Sequence, residues 1–119
     1  MAKSTAPESL LPLPPAAFHV LLALAGGDLH GYAILQEVAA CTGGKIRLSA
    51  GTLYRTVHRL LEQGLIVELR ERPAPEDDDD RRRYYRLTSL GERAARAEAD
   101  RLAGLVAMAR ERGLAPEEA

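Results

Sequence analysis

Residues Ser49 to Gly64 read SAGTLYRTVHRLLEQG, and the fold turns on this stretch. Leu53, Val57, Leu60 and Leu61 recur at i, i+4, i+7 and i+8, the apolar stripe of an amphipathic helix. Ser49 is an N-cap residue, Leu48 and Leu53 stand where a hydrophobic staple closes over that cap, and Gly64 stands where a left-handed residue ends a helix. Opposite the stripe lie Gly51, Arg55 and His58, with Thr52 and Arg59 on one shoulder and Tyr54 on the other. A helix with one apolar face and one basic, donor-rich face is suited to entering a DNA major groove.

The flanks add strands. Before the helix, Lys45-Ile46-Arg47-Leu48 alternates polar and apolar and is expected to be a short strand. After Gly64, Leu65, Val67 and Leu69 alternate with Ile66, Glu68 and Arg70, a second strand. Residues 72–82 (RPAPEDDDDRR) have nothing to bury and form a solvated loop. Arg83 to Leu87 (RYYRL) then makes a third strand, with Tyr85 and Leu87 on one face and Tyr84 and Arg86 on the other.

Two helices are expected upstream. Pro15 suits a first helical turn, and Phe18, Leu21, Leu22, Leu24 and Ala25 give an apolar arc that Gly26-Gly27 ends. From Gly31, a second helix carries Ile34, Leu35, Val38 and Thr42 on one face and stops at Gly43-Gly44. Residues 1–14, rich in proline and small side chains, read as a flexible arm. The order helix, helix, strand, helix, strand, loop, strand is that of a winged helix-turn-helix, mainly α with a small β-wing. It occupies residues 15–88.

Thr88 or Ser89 caps a last helix, and Ser89 with Glu92 has the spacing of a capping box. Residues 89–113 make that helix and 114–119 a tail. Ala95, Ala99, Leu102, Leu105, Val106 and Ala109 line one side, with Ala95, Leu102 and Ala109 a heptad apart. So long a helix exceeds what a small domain needs. Folding back on its own domain is the simpler arrangement; pairing with its copy in a homodimer is preferred, because the stripe is otherwise left wet.

Composition sets bounds. The chain of 119 residues has a formal net charge of -1 and is 46% apolar, enough for one core. Bulk charge does not hold nucleic acid here, but between Glu37 and Glu62 there is no carboxylate side chain, while Lys45, Arg47, Arg55 and Arg59 lie there. No signal peptide or membrane-length apolar run is visible, and a cytoplasmic protein with no membrane partner is expected. Cys41, the lone cysteine, falls a heptad after Ile34 and is expected to be a buried structural thiol. His19, His30 and His58 lack mutual ligand spacing, so no metal is expected. No triad, paired-carboxylate or glycine-rich phosphate motif is present, so neither catalysis nor a cofactor is expected.

Three separated motifs then resemble one family. Leu29 to Val38 (LHGYAILQEV), Leu48 to Ile66 (LSAGTLYRTVHRLLEQGLI) and Arg81 to Glu92 (RRRYYRLTSLGE) together resemble the PadR family of bacterial transcriptional regulators over about residues 16–112. The resemblance implies a winged-helix DNA-binding domain, a dimer through C-terminal helices, and repression released by a small-molecule effector. The length implies the short subfamily with a single C-terminal helix. Ala50 replaces the usual proline after the capping serine, and the absence of Trp leaves the aromatic drug-stacking pocket of some short relatives unsupported.

On this order Arg55 and Arg59 are read as DNA contacts, Arg being able to meet guanine bidentately or a phosphate. Thr52 and His58 are further base-edge candidates. Tyr54, matching the family's GTLY motif, bonds a phosphate or packs at the shoulder. Backbone amides at Ser49, Ala50 and Gly51 offer a phosphate contact. Arg82 and Arg83, with Arg81, lie where the wing returns and can straddle the DNA backbone or reach into the minor groove. Asp77 to Asp80 oppose this: the tip points away from DNA, or its acids neutralise the Arg run in the free protein, and a metal site is the third alternative. A winged-helix protein-interaction module that never meets DNA remains the rival reading.

Overall fold

The computed structural model describes residues 6–69 and 83–116. Pro15 opens α1 (Pro15–Ala25) at the position where its missing N–H costs nothing. Ala17, Val20, Leu21, Ala23 and Leu24 of α1 are buried, whereas Leu22 points to solvent. This wide apolar arc lets α1 pack at once against α2 (Gly31–Cys41), α3 (Ala50–Glu62), α4 (Ser89–Glu111) and the sheet.

The sheet differs from the expected one. Its strands are β1 (Leu29–His30), β2 (Ile66–Glu68) and β3 (Tyr84–Leu87), ordered β1-β3-β2 and antiparallel throughout. Residues 45–48, expected as a strand, form none: the Ile46 N–H is taken by Thr42 Oγ1 (3.0 Å), closing the turn after α2. The strand that pairs with Tyr84 and Tyr85 comes instead from His30 and Leu29, just before α2. Asp28, one residue earlier, holds β3 through Arg86 by two hydrogen bonds of 3.1 and 2.8 Å. The Arg86 guanidinium keeps the Asp28 carboxyl below the usual carboxylate range.

Ile66 is buried beside Leu65, and Val67 is exposed. The cause lies in how α3 ends. Gly64 takes φ +75°, the Leu65 N–H reaches Leu60 O (3.0 Å) and the Gly64 N–H reaches Leu61 O (3.1 Å), a left-handed cap that tucks Leu65 into the core. The strand then starts with Ile66 inward, opposite Leu87.

At the start of α4 the cap is Thr88, whose Oγ1 accepts from the Gly91 N–H (3.0 Å). The third helical residue is thus Gly91, so Ser89 and Glu92 make no capping box. Thr88 also donates from its hydroxyl to Gly64 O (2.7 Å) and from its N–H to Leu65 O (3.1 Å), seating α4 on the turn between α3 and β2.

The arm expected over residues 1–14 is folded in over its described second half. A short 3-10 turn, Pro7–Leu10, packs against α4, Leu10 and Leu11 lie on the core, and Leu13 is buried. Three leucines between prolines carry enough apolar surface to dock, roughly 1.5–3 kcal/mol for one fully buried. Glu98 fixes this segment from α4. Its carboxylate, 3% exposed, accepts from the Leu13 N–H (3.3 Å) and from Arg101 (2.9 and 2.7 Å). Arg101 above all, with help from the Leu13 N–H, holds the Glu98 carboxyl below its usual value against the opposing effect of burial. A carboxyl with a lowered folded-state pKa stabilises the fold above its unfolded-state value, and that contribution is lost as pH falls through the folded-state value. Glu98→Gln is accordingly expected to cost about 1–3 kcal/mol at neutral pH. Urea unfolding at stepped pH should show the gap to the parent protein closing toward acid; a gap constant with pH would contradict the role given to the charge.

Cys41 is exposed rather than buried, because the last turn of α2 runs past the core. Its thiol donates to Glu37 Oε2 (3.1 Å), and that hydrogen bond raises the thiol pKa. Among the described residues no helix is long and apolar enough to cross a membrane, and no group of three or more His, Cys, Asp or Glu is placed to hold a metal ion.

Candidate nucleic-acid interface

Helix α3 turns Leu53, Val57 and Leu60 into the core and leaves the opposite face in solvent. Its N-terminus is built by Ser49, whose Oγ accepts from the Thr52 N–H (3.1 Å). That leaves the N–H groups of Ala50 and Gly51 at the open, positive end of the helix, where an anionic oxygen is stabilised. The Ser49 hydroxyl in turn donates to Thr52 Oγ1 (3.1 Å), and Thr52 Oγ1 accepts from Arg55 Nη2 (3.3 Å). A relay from the cap thus steadies the Arg55 guanidinium, which passes over Gly51 at 3.4 Å from where a side-chain carbon would stand. Arg55 and Gly51 are both exposed.

The remaining residues of the face are divided between two sides. Tyr54 is 55% exposed, its ring lying across Gly31 at the start of α2, where an added Cβ would come 2.9 Å from the phenolic oxygen. His58 lies 3.6 Å from Glu62, both exposed. Tyr54, His58, Glu68 and Arg83 line a hollow of about 260 Å³ between α3 and the sheet, floored by Val57, Leu61 and Tyr85. Burial pushes the Tyr85 phenol up, so it is a neutral floor. Arg83 meets Glu68 Oε1 at 3.4 Å. Arg59 is not in this hollow. It lies on the other flank of α3, beside the docked N-terminal segment. Arg82 and the run Asp77 to Asp80 lie outside the described residues.

Two acidic residues were missed in reading the face from sequence. Glu62 falls a helical turn beyond His58, and Glu68 sits across from Tyr85 in the ladder. Helical spacing identifies the first; the second needs the register of β2. His30, noted only for its place in a motif, caps α2 through Nδ1, which accepts from the Ala33 N–H (3.1 Å), and its ring meets Tyr84 edge to face at 5.3 Å.

On α4, the face that packs on the domain through Gly91, Ala94 and Glu98 continues at helical spacing into Leu102, Leu105 and Ala109. Ala95 lies against the core and Leu102 and Ala109 are half-buried, while Ala99, Leu105 and Val106 are exposed. Leu105 is 48% exposed and Val106 41%, joined by the exposed Met108 and Leu114, which the heptad reading did not single out.

Residues 20–97 match the family of PadR-like transcriptional regulators. A transcriptional regulator of Mycobacterium tuberculosis (Rv3488) is 42% identical over 76 residues, 64% of this chain and 64% of that protein. Across the curated relatives it matches, the chain spans 56–64% of their length. Among solved structures, a PadR family transcription regulator from Clostridium difficile superposes with a TM-score of 0.68 at 20% identity, covering 82% of this chain and 97% of that one. Bacillus subtilis PadR in complex with operator DNA gives a TM-score of 0.59 at 19% identity, over 71% of this chain and 47% of that one. At such identities these two likenesses bear on the fold, a winged helix. The family match covers well over half of the sequence and spans α2, α3 and the start of α4: the chain belongs to the PadR-like family of transcriptional regulators.

Proposed function

We propose that the protein is a sequence-specific DNA-binding regulator that grips a palindromic operator as a homodimer and represses until a small ligand releases it. The observation that carries DNA binding is the solvent face of α3: a side-chain cap, two open amides at the helix start, and Arg55 held over Gly51 by a relay from that cap. Ser49, Ala50 and Gly51 take a phosphate at the helix start; Thr52, Arg55 and His58 face base edges; Tyr54 and Arg83 flank them on the sheet side and Arg59 on the other, and Arg82 is assigned to the same DNA-binding set. Repression and release by a ligand are supported by the family resemblance.

The dimer is supported by the α4 stripe, whose outer half leaves Leu105, Val106 and Met108 in water. Residues 89–113 are assigned to dimerisation and 15–88 to DNA. Paired α4 helices would set the two α3 helices about one DNA turn (~34 Å) apart, which is why the operator should be a palindrome. Light scattering at micromolar concentration is expected to give twice the chain mass, and a stable monomer would remove the dimer.

DNA binding is tested by anisotropy on labelled duplex across a salt series. If each protomer neutralises about four phosphates, log affinity should fall against log salt with a slope of about -7. No binding at low salt would favour a protein-interaction module instead.

A further inference from the structure

A cleft of about 220 Å³ opens on the flank of α3 that faces the docked N-terminal segment. Leu13, Pro14 and Ala17 form its apolar wall, and Thr56, Arg59 and Gln63 its polar rim, one turn apart along α3. The wall is held in place where Glu98 accepts the Leu13 N–H. Among the described residues, Arg59 is the one charged residue lining the cleft, and no ion pair or hydrogen bond engages its side chain. Among the described residues, no aromatic ring lines the cleft.

Apolar walls with one convergent cation select a small amphiphile with a single anionic head. Without a ring to stack on, an aliphatic body is the match, and a chain of about six carbons suits a small cleft of this kind. We propose that this cleft binds a short aliphatic carboxylate, its chain against Leu13, Pro14 and Ala17 and its head on the Arg59 guanidinium, and that the bound acid competes with DNA for that guanidinium. The competition rests on α3 being the helix that meets DNA; the binding site itself does not. Because one group serves two partners, each must weaken the other by the same factor.

The test titrates ¹⁵N-labelled full chain with hexanoate and with 1-hexanol at constant ionic strength. Both should shift the backbone amides of Leu13, Ala17, Thr56 and Gln63, hexanoate binding roughly tenfold more tightly or better. Arg59→Gln, at an exposed position, should keep its melting temperature and bind the two equally. Equal binding by the parent chain, a preference that survives Arg59→Gln, or shifts centred elsewhere would overturn the site. In a second arm, saturating hexanoate should weaken binding to a selected duplex by roughly tenfold and leave Arg59→Gln unaffected. Hexanoate bound in the cleft with duplex affinity unchanged would overturn the competition. A chain that binds no duplex would sink the DNA reading, while the titration would still judge the cleft.

Discussion

Gly91→Ala is expected to lower the stability of the protein by about 3 kcal/mol or more, a fall in melting temperature of about 10 °C or more. Gly91 is the third residue of α4, where the helix crosses the turn between α3 and β2 in direct backbone contact. A Cβ there would overlap the Leu65 carbonyl oxygen and come within 2.9 Å of Leu87 Cδ1. Neither neighbour can yield cheaply. The Leu65 oxygen accepts the Thr88 N–H that seats α4, and Leu65 itself is wholly buried. Lifting α4 to make room would break that bond and the Thr88 to Gly64 bond with it. Gly104→Ala provides the control on the same helix, since nothing lies within 4 Å of its missing Cβ. There the substitution should raise stability by about 0.5–1 kcal/mol, the usual gain of alanine over glycine inside a helix. Thermal unfolding of both variants checks the pair. A Gly91→Ala protein as stable as its parent would mean that α4 does not lie on Leu65.

Arg55→Ala should cost roughly 1–3 kcal/mol of specific DNA binding per half-site, and about twice that for a dimer on a palindrome. Arg55 is the strongest candidate for a base contact because its guanidinium is already placed: Thr52 Oγ1 holds Nη2, and Ser49 holds Thr52. A prepositioned fork loses less side-chain freedom when it meets guanine than a free one does. Thr52→Val, which removes the hydroxyl from the relay, should therefore weaken binding in the same direction by a smaller amount. The fold should tolerate Arg55→Ala, since the side chain is exposed and pairs with no acid among the described residues. Competition between operator and random duplex separates the roles. A loss confined to the operator assigns Arg55 to a base edge, and an equal loss on all duplexes assigns it to phosphate.

The helices were largely legible in the sequence because their causes are local. Ser49, Thr88 and Gly64 act within one turn of their own positions, and the spacing of Leu53, Val57 and Leu60 needs no partner to be recognised. What was misread depends on distant contacts. A two-residue strand at Leu29–His30 has no alternation to detect and exists only because β3 lies beside it. Leu10, Leu11 and Leu13 looked idle among prolines, yet they dock on α4 and the core, with Glu98 supplying a hydrogen bond across 85 residues. The same docking gives Arg59 a neighbourhood that helical spacing alone could not reveal. Cys41 keeps the period of a buried residue but lies where the core has ended. On the candidate interface, the sequence ordered the side chains around α3 but not their charge balance, since Glu68 reaches Arg83 through strand register.

Reading of DNA by the α3 face is tested most directly by selection from random duplexes with the purified full chain at low salt. A palindrome whose half-sites are centred about one helical turn apart should be enriched, and Arg55→Ala should lose the enrichment at defined positions in both halves. Recovery of unselected sequence from the parent chain would contradict the account.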